Sequence, residues 1–151
     1  MNINRDVVIK RFERLDTLLK ELNKIKNGTK EKFIQNFTEQ LSAQRALVLC
    51  INICIDVGAH ILSQNRNGKP ETYSQIFEEL EKLDIIDKEL KENLIDMVRF
   101  RNVLGHLYME IDNERVYEII QNDLNIFDLF KKKIFQKFKN QLLNEKNNNK
   151  I

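Results

Sequence analysis

Proline, glycine and tryptophan are scarce: 151 residues contain one proline (Pro70), four glycines and no tryptophan. So few breakers leave few points at which a helix must stop, and long helices are predicted. Cysteine is nearly missing too. Its two copies, Cys50 and Cys54, stand four apart in an apolar run, a spacing that puts them on one helical face but holds them too rigidly for a disulfide. With only His60 nearby they lack the partners of a zinc site, so buried free thiols are expected. Neither charge is in excess: 25 Lys and Arg against 23 Asp and Glu give +2. That balance excludes a constitutive nucleic-acid coat and makes any nucleic-acid contact local.

Met1 to Asp6 lacks the apolar core of a secretion signal, and no run approaches the roughly 18 apolar residues of a membrane span, so a cytoplasmic protein without a membrane partner is expected. The sequence has no Gly-rich phosphate loop, no serine nucleophile elbow, no zinc-type Cys and His spacing and no acidic metal box. Enzyme classes built on those devices are set aside, and neither a cofactor nor a metal is expected. Alternation with period two is absent, as is any internal repeat, which removes sheets and solenoids.

What is present suffices for one core: 42% of the residues are hydrophobic and 32% charged. A single domain over residues 1–144 is predicted, with 145–151 as a frayed polar tail. The first helix carries Ile3, Val7, Leu15, Leu18, Leu22 and Ile25 as its stripe and stops at Asn27-Gly28-Thr29. A second helical segment runs to about Gln64, interrupted near Asn36 to Thr38, with Thr38 as a cap. Its middle, Ala46 to Ile55, is apolar almost all round, which places it in the centre of a bundle or in a dimer interface. Thr72 or Ser74 caps a short helix, Asp87 opens the next, and a last helix runs from about Val116 to Phe138. The fold class is all-α: an antiparallel bundle of four to five helices.

Polar groups interrupt the apolar pattern at Phe100-Arg101-Asn102-Val103-Leu104-Gly105-His106-Leu107-Tyr108. At about 100° per residue, Arg101, Asn102, Gly105, His106 and Tyr108 share one broad face, and Phe100, Leu104 and Leu107 fall opposite. Gly105 lies between Arg101 and His106 and leaves room for a phosphate. A guanidinium presents a planar fork of donors to phosphate oxygens, and an imidazole accepts and returns a proton. Together they suit phosphodiester cleavage. Each residue alone has an ordinary reading: Arg101 as an ion-pair partner, His106 as a helix-end histidine, Tyr108 as a half-buried aromatic, Asn102 as a local hydrogen-bonding group. His60 and Asp56 are expected to pair on the second helix. Arg45 and Arg99 are candidates to add positive charge along the path of a phosphodiester substrate, and Lys131-Lys132-Lys133 is read as a solvated face.

The string Arg101-x4-His106-x-Tyr108 resembles the signature of the HepT toxins, minimal members of the HEPN superfamily. The likeness extends to Gln44-Arg45-Ala46-Leu47, to Cys54 through Ile61, and to Tyr73, Ile76, Phe77 and Leu80, and so covers nearly the whole chain. Gly105 departs from it, since family members more often carry a small aliphatic residue there. The resemblance implies a metal-independent endoribonuclease, active as a homodimer, with Arg101 and His106 as catalytic residues. The chemistry of that pair predicts 2′,3′-cyclic phosphate ends, with Asn102, one turn before His106, in support by fixing the imidazole or binding a phosphate oxygen. It implies a partner nucleotidyltransferase antitoxin of the MNT type, which silences the toxin by adding AMP to Tyr108. RNA is the implied substrate; DNA is not expected as a partner. The alternative is a non-catalytic HEPN domain that binds nucleotide or scaffolds a nucleotidyltransferase.

Overall fold

The computed structural model describes residues 1–65, 69–106 and 110–143, and every regular element among them is a helix. In chain order these are α1 (Arg5–Lys26), α2 (Lys30–Gln35), α3 (Phe37–Ser63), α4 (Tyr73–Lys82), α5 (Lys88–Leu104), α6 (Asn113–Asn122), α7 (Asn125–Lys137) and α8 (Lys139–Leu143). The all-α expectation holds. The tail expected from 145 onward lies outside the described residues.

Helix starts follow local chemistry, a side-chain oxygen taking a backbone N–H that has no partner inside the helix. Thr29, Thr72 and Asp87 accept from Lys32, Gln75 and Leu90 at 3.2, 3.2 and 2.8 Å, at the starts the pattern predicts. The break before α3 differs: Asn36, not Thr38, is the cap, its Oδ1 accepting from Glu39 N at 3.0 Å while its backbone is extended. The expected last helix is also divided. Asn122 and Asp123 are weak helix formers whose side chains compete for backbone bonds, and the chain turns there. α6 then packs on α1 and α2, whereas α7 reaches α3 and α5.

The stripe of α1 runs through Val8, Phe12, Leu15, Leu18, Leu19 and Leu22; Val7, one position off that face, is exposed. α1 lies antiparallel to α3, since Asn4 meets His60 and Arg11 meets Asp56. α3 is the central element and touches α1, α2, α4, α5, α6 and α7. Ala46, Leu47, Cys50, Ile51, Ile53, Cys54 and Ile55 are buried within this one chain. The all-round apolar stretch is therefore explained by the bundle's own centre and provides no argument for a dimer. By length and composition α3 is also apolar enough to cross a membrane, contrary to the sequence expectation, but 61% of that window is buried inside the bundle.

Gly58 sets how closely α4 approaches α3. A Cβ on Gly58 would lie 2.6 Å from Ile76 Cγ2 and 3.3 Å from Leu80 Cδ1, so only glycine fits this contact as it stands. α4 then turns tightly into α5. Asp84 adopts the left-handed conformation (φ 56°), Ile85 N donates to Leu80 O at 3.0 Å, and Asp84 N donates to Glu81 O at 2.9 Å. That pairing of the last carbonyls ends α4 and brings α5 back alongside it.

Both cysteines are buried and free. Burial, with a smaller contribution from Asp128, pushes the Cys50 thiol up to about 12, and burial beside Cys50 raises Cys54 well above the usual thiol range. The unfolded chain ionises these thiols near their ordinary value of 9.0 while the folded chain keeps them protonated. Their stabilising contribution is complete below pH 9 and is lost as pH rises towards 12. Denaturant midpoints measured across that alkaline range should fall in the wild type and fall less in a Cys50→Ala, Cys54→Ala double variant. Iodoacetamide should label neither thiol until the protein unfolds.

Candidate active site

α5 ends in the residues the sequence singles out. Leu104 is its last helical residue, and Gly105 N donates to both Arg101 O (3.0 Å) and Asn102 O (3.2 Å), closing the helix. His106 follows beyond the end, its N–H donating to Val103 O at 3.2 Å. Among the described residues the helical face expected from Arg101 onward ends at Leu104. His106 nevertheless lines the same groove as Arg101, Asn102, Gly105 and Val48, an opening of about 480 Å³. Tyr108 lies outside the described residues.

Gly105 carries ordinary right-handed backbone (φ −81°, ψ −10°), and a Cβ there would meet nothing closer than Asn102 O at 3.5 Å. Gly105→Ala should be accommodated and, by restricting the unfolded chain, should stabilise by about 0.4–1 kcal/mol. A chemical denaturation curve checks this; a loss of stability would contradict the geometry.

Arg101 is half-buried and held without a carboxylate. Its Nε donates to Asn52 Oδ1 on α3 in a short hydrogen bond, and its Nη1 makes a long 3.4 Å bond to Asn102 Oδ1. The guanidinium carbon stands 5.2 Å from the centre of the Tyr73 ring on α4. No acidic side chain pairs with it among the described residues. A neutral amide and an aromatic face thus fix its position and leave its positive charge uncompensated, with further N–H donors available to an anion.

Asn52 and Tyr73 are the residues that sequence reasoning missed as site components. Asn52 was visible as the one polar residue in the apolar run from Ala46 to Ile55, and Tyr73 as an aromatic at the start of a short helix. Other expectations separate from the groove. His60 Nε2 accepts the Asn4 backbone N–H at 2.9 Å, so its ring joins α3 to the chain's start and does not pair with Asp56. Asp56 instead meets Arg11 at 3.8 Å. Arg99 bonds Asp96 on its own helix at 3.1 Å, and neither Arg99 nor Arg45 lines the groove. Lys131 bonds Asp16 at 2.7 Å and Lys133 lies 3.8 Å from Asp87, so two of the three lysines read as a solvated face form inter-helix ion pairs.

The fold and groove define an all-helical protein that presents a fixed cation and an imidazole at the end of one helix. Comparison with known proteins makes the class specific. The family model described as "Ribonuclease HepT-like" matches residues 8–134. The tRNA nuclease HepT of Aphanizomenon flos-aquae is 32% identical over 133 residues, spanning 88% of this chain and 90% of the relative. The mRNA nuclease HepT of Shewanella oneidensis is 30% identical over 125 residues, spanning 83% and 93%. A solved structure of the tri-AMPylated Shewanella oneidensis HEPN toxin in complex with MNT antitoxin shares 29% identity and a TM-score of 0.81 over 88% of this chain and 99% of that one. The cytosolic protein of unknown function YutE from Bacillus subtilis shares the fold alone, with a TM-score of 0.78 at 18% identity over 93% of this chain and 94% of its own. The chain belongs to the HepT-like ribonuclease family of the HEPN superfamily.

Proposed function

We propose that this protein is the toxin of a HEPN/MNT toxin–antitoxin pair, an endoribonuclease that cleaves RNA in the cytoplasm through Arg101 and His106 without a metal ion. The observation that carries the reading is the guanidinium of Arg101, without an acidic partner among the described residues, in an open groove shared with an exposed imidazole. A half-buried cation held by neutral partners is poised for an anion, and the backbone of RNA supplies one at every residue.

His106 takes the proton of a ribose 2′-OH, and the freed oxygen attacks the adjacent phosphorus. The P–O5′ bond breaks, the departing 5′ oxygen is protonated, and one product keeps a 2′,3′-cyclic phosphate. Arg101 grips the phosphate and stabilises the charge that accumulates on its oxygens as the bond order changes. One imidazole is not both acid and base in a single step, so the proton for the 5′ oxygen comes from water or from His106 of the partner subunit in a homodimer. Asn102, on the groove wall and against Arg101, supports the phosphate. The antitoxin is a nucleotidyltransferase that adds AMP to Tyr108, two residues after His106 in sequence, and so adds bulk and negative charge to the toxin.

Purified toxin is incubated with total RNA with and without EDTA, and the product ends are mapped. Cleavage that persists in EDTA and leaves cyclic phosphate ends supports the reading; a folded protein that leaves RNA intact refutes it and favours a nucleotide-binding or scaffolding role. Peptide mass spectrometry after coexpression with a nucleotidyltransferase of the MNT type encoded beside the toxin should place added AMP on Tyr108, and an unchanged mass would count against that regulation.

A further inference from the structure

Two cavities meet at Asn102. One is the groove of Arg101 and His106; the other, about 930 Å³, lies among the end of α3, the start of α4 and α5. Its size falls within the roughly 300–1,000 Å³ typical of sites for small organic groups. Leu62, Ile76 and Val98 form an apolar wall, Thr72, Tyr73 and Asn102 form a polar rim, and the exposed Lys69 and Glu71 add one charge of each sign to the lining. A phosphate wants several cations or clustered N–H groups, and here Lys69 is offset by Glu71. A wall of aliphatic carbon edged by hydroxyls and an amide suits a flat heteroaromatic ring whose edge carries donors and acceptors.

We infer that this second cavity receives a nucleobase of the RNA strand, next to the phosphate held by Arg101; the inference rests on the ribonuclease reading of the groove. Continuity is the first support. Asn102 borders both spaces, so a base in one and the neighbouring phosphate in the other belong to one stretch of strand. Tyr73 is the second. Tyr73 lines the cavity, is 48% exposed as a residue, and holds the Arg101 guanidinium 5.2 Å from its ring centre, so a stacked base and a gripped phosphate would share one platform. The third is the amide of Asn102 itself. Its Oδ1 receives only the long bond from Arg101, and its Nδ2 donates to no group among the described residues. A side-chain amide offers a donor and an acceptor side by side, the pair that matches the edge of adenine. Thr72 Oγ1 accepts the Gln75 N–H and keeps its own proton to donate.

The test uses short RNAs that differ only in carrying a natural base or an abasic ribose beside the mapped cleavage bond. The wild-type toxin should cleave the base-bearing RNA about tenfold faster in kcat/KM, the scale of one stacked base. Ala59→Phe and Ser63→Phe, each filling the cavity from a solvent-exposed position of α3, should erase that gap by slowing only the base-bearing RNA, with circular dichroism unchanged. Equal wild-type rates on the two RNAs, or a gap that survives in both filled variants, overturns the inference. Binding of the same RNAs, blocked by a 2′-deoxy group at the cleavage bond, separates the two readings. Base-dependent binding by a protein that cuts no RNA upholds the cavity and refutes catalysis, whereas absence of both refutes both. If adenosine 5′-monophosphate alone occupies the cavity and RNA shows no base dependence, the site belongs to a free nucleotide and the inference falls.

Discussion

Arg101→Ala should lower RNA cleavage by about 10²–10³-fold, the usual cost of removing a donor aimed at developing negative charge. His106→Ala should cost about 10²–10⁴-fold through the lost proton transfer. Both proteins should remain folded, because His106 is exposed and Arg101 contributes no ion pair to the described core. Removing Arg101 does leave Asn52 Oδ1 without its donor, a cost of about 1 kcal/mol at a half-buried position that water can reach. The corresponding fall in melting temperature is about 2–4 °C. Arg101→Lys keeps the charge but loses the planar fork, so it should recover only part of the rate.

The sharper variant is Asn52→Asp. A carboxylate accepts the same bond from Arg101 Nε, so the side chain stays in place while its charge is neutralised. If uncompensated charge is what the groove supplies, cleavage should fall at least tenfold, about 1.4 kcal/mol, with no loss of stability. An active Asn52→Asp protein would show that the arginine serves only to join α3 to α5.

The second large effect concerns packing. Gly58→Val should destabilise by about 1–3 kcal/mol, the cost of overfilling a close-packed contact. Its Cβ alone would stand 2.6 Å from Ile76 Cγ2, a branch methyl close to the α4 backbone with little freedom to withdraw. α4 must shift, and α4 begins with Tyr73, whose ring carries Arg101. Cleavage should therefore fall along with stability. A double-mutant cycle tests the contact directly. Gly58→Ala combined with Ile76→Ala should be less destabilising than the sum of the two single changes, since the second removes the methyl with which the first collides. Strict additivity would place the strain elsewhere.

Much of this fold is legible in one dimension because its causes are short-ranged. Thr29, Thr72, Asp87 and Asp112 mark helix starts through bonds that reach two or three residues along the chain. The boundaries that slipped are those where two neighbouring residues compete for one role, as Asn36 and Thr38 do, or where a continuous apolar stripe hides a change of direction, as at Asn122 and Asp123. The divided last helix keeps the same buried residues, Val116, Ile119, Phe127, Phe130 and Ile134, because its apolar spacing resumes after the turn.

The candidate site divides in the same way. Arg101, Asn102 and His106 are adjacent in sequence, so their meeting at the end of α5 follows from local geometry once α5 exists. Asn52 lies 49 residues from Arg101, and no periodicity links them. Likewise, Ala46 to Ile55 reads equally as bundle centre or subunit interface, since an apolar stripe records that it is covered and not by what. By itself the sequence determined the helical class, the caps at Thr29, Thr72 and Asp87, the apolar residues of the core and the Arg101–His106 pair. Only the tertiary structure decided that Arg101 rests on Tyr73 and Asn52 with no acidic partner among the described residues, and that a second cavity opens beside Asn102. Those facts depend on how closely α3, α4 and α5 pack, which is a property of their combined surfaces and of the space Gly58 leaves between them.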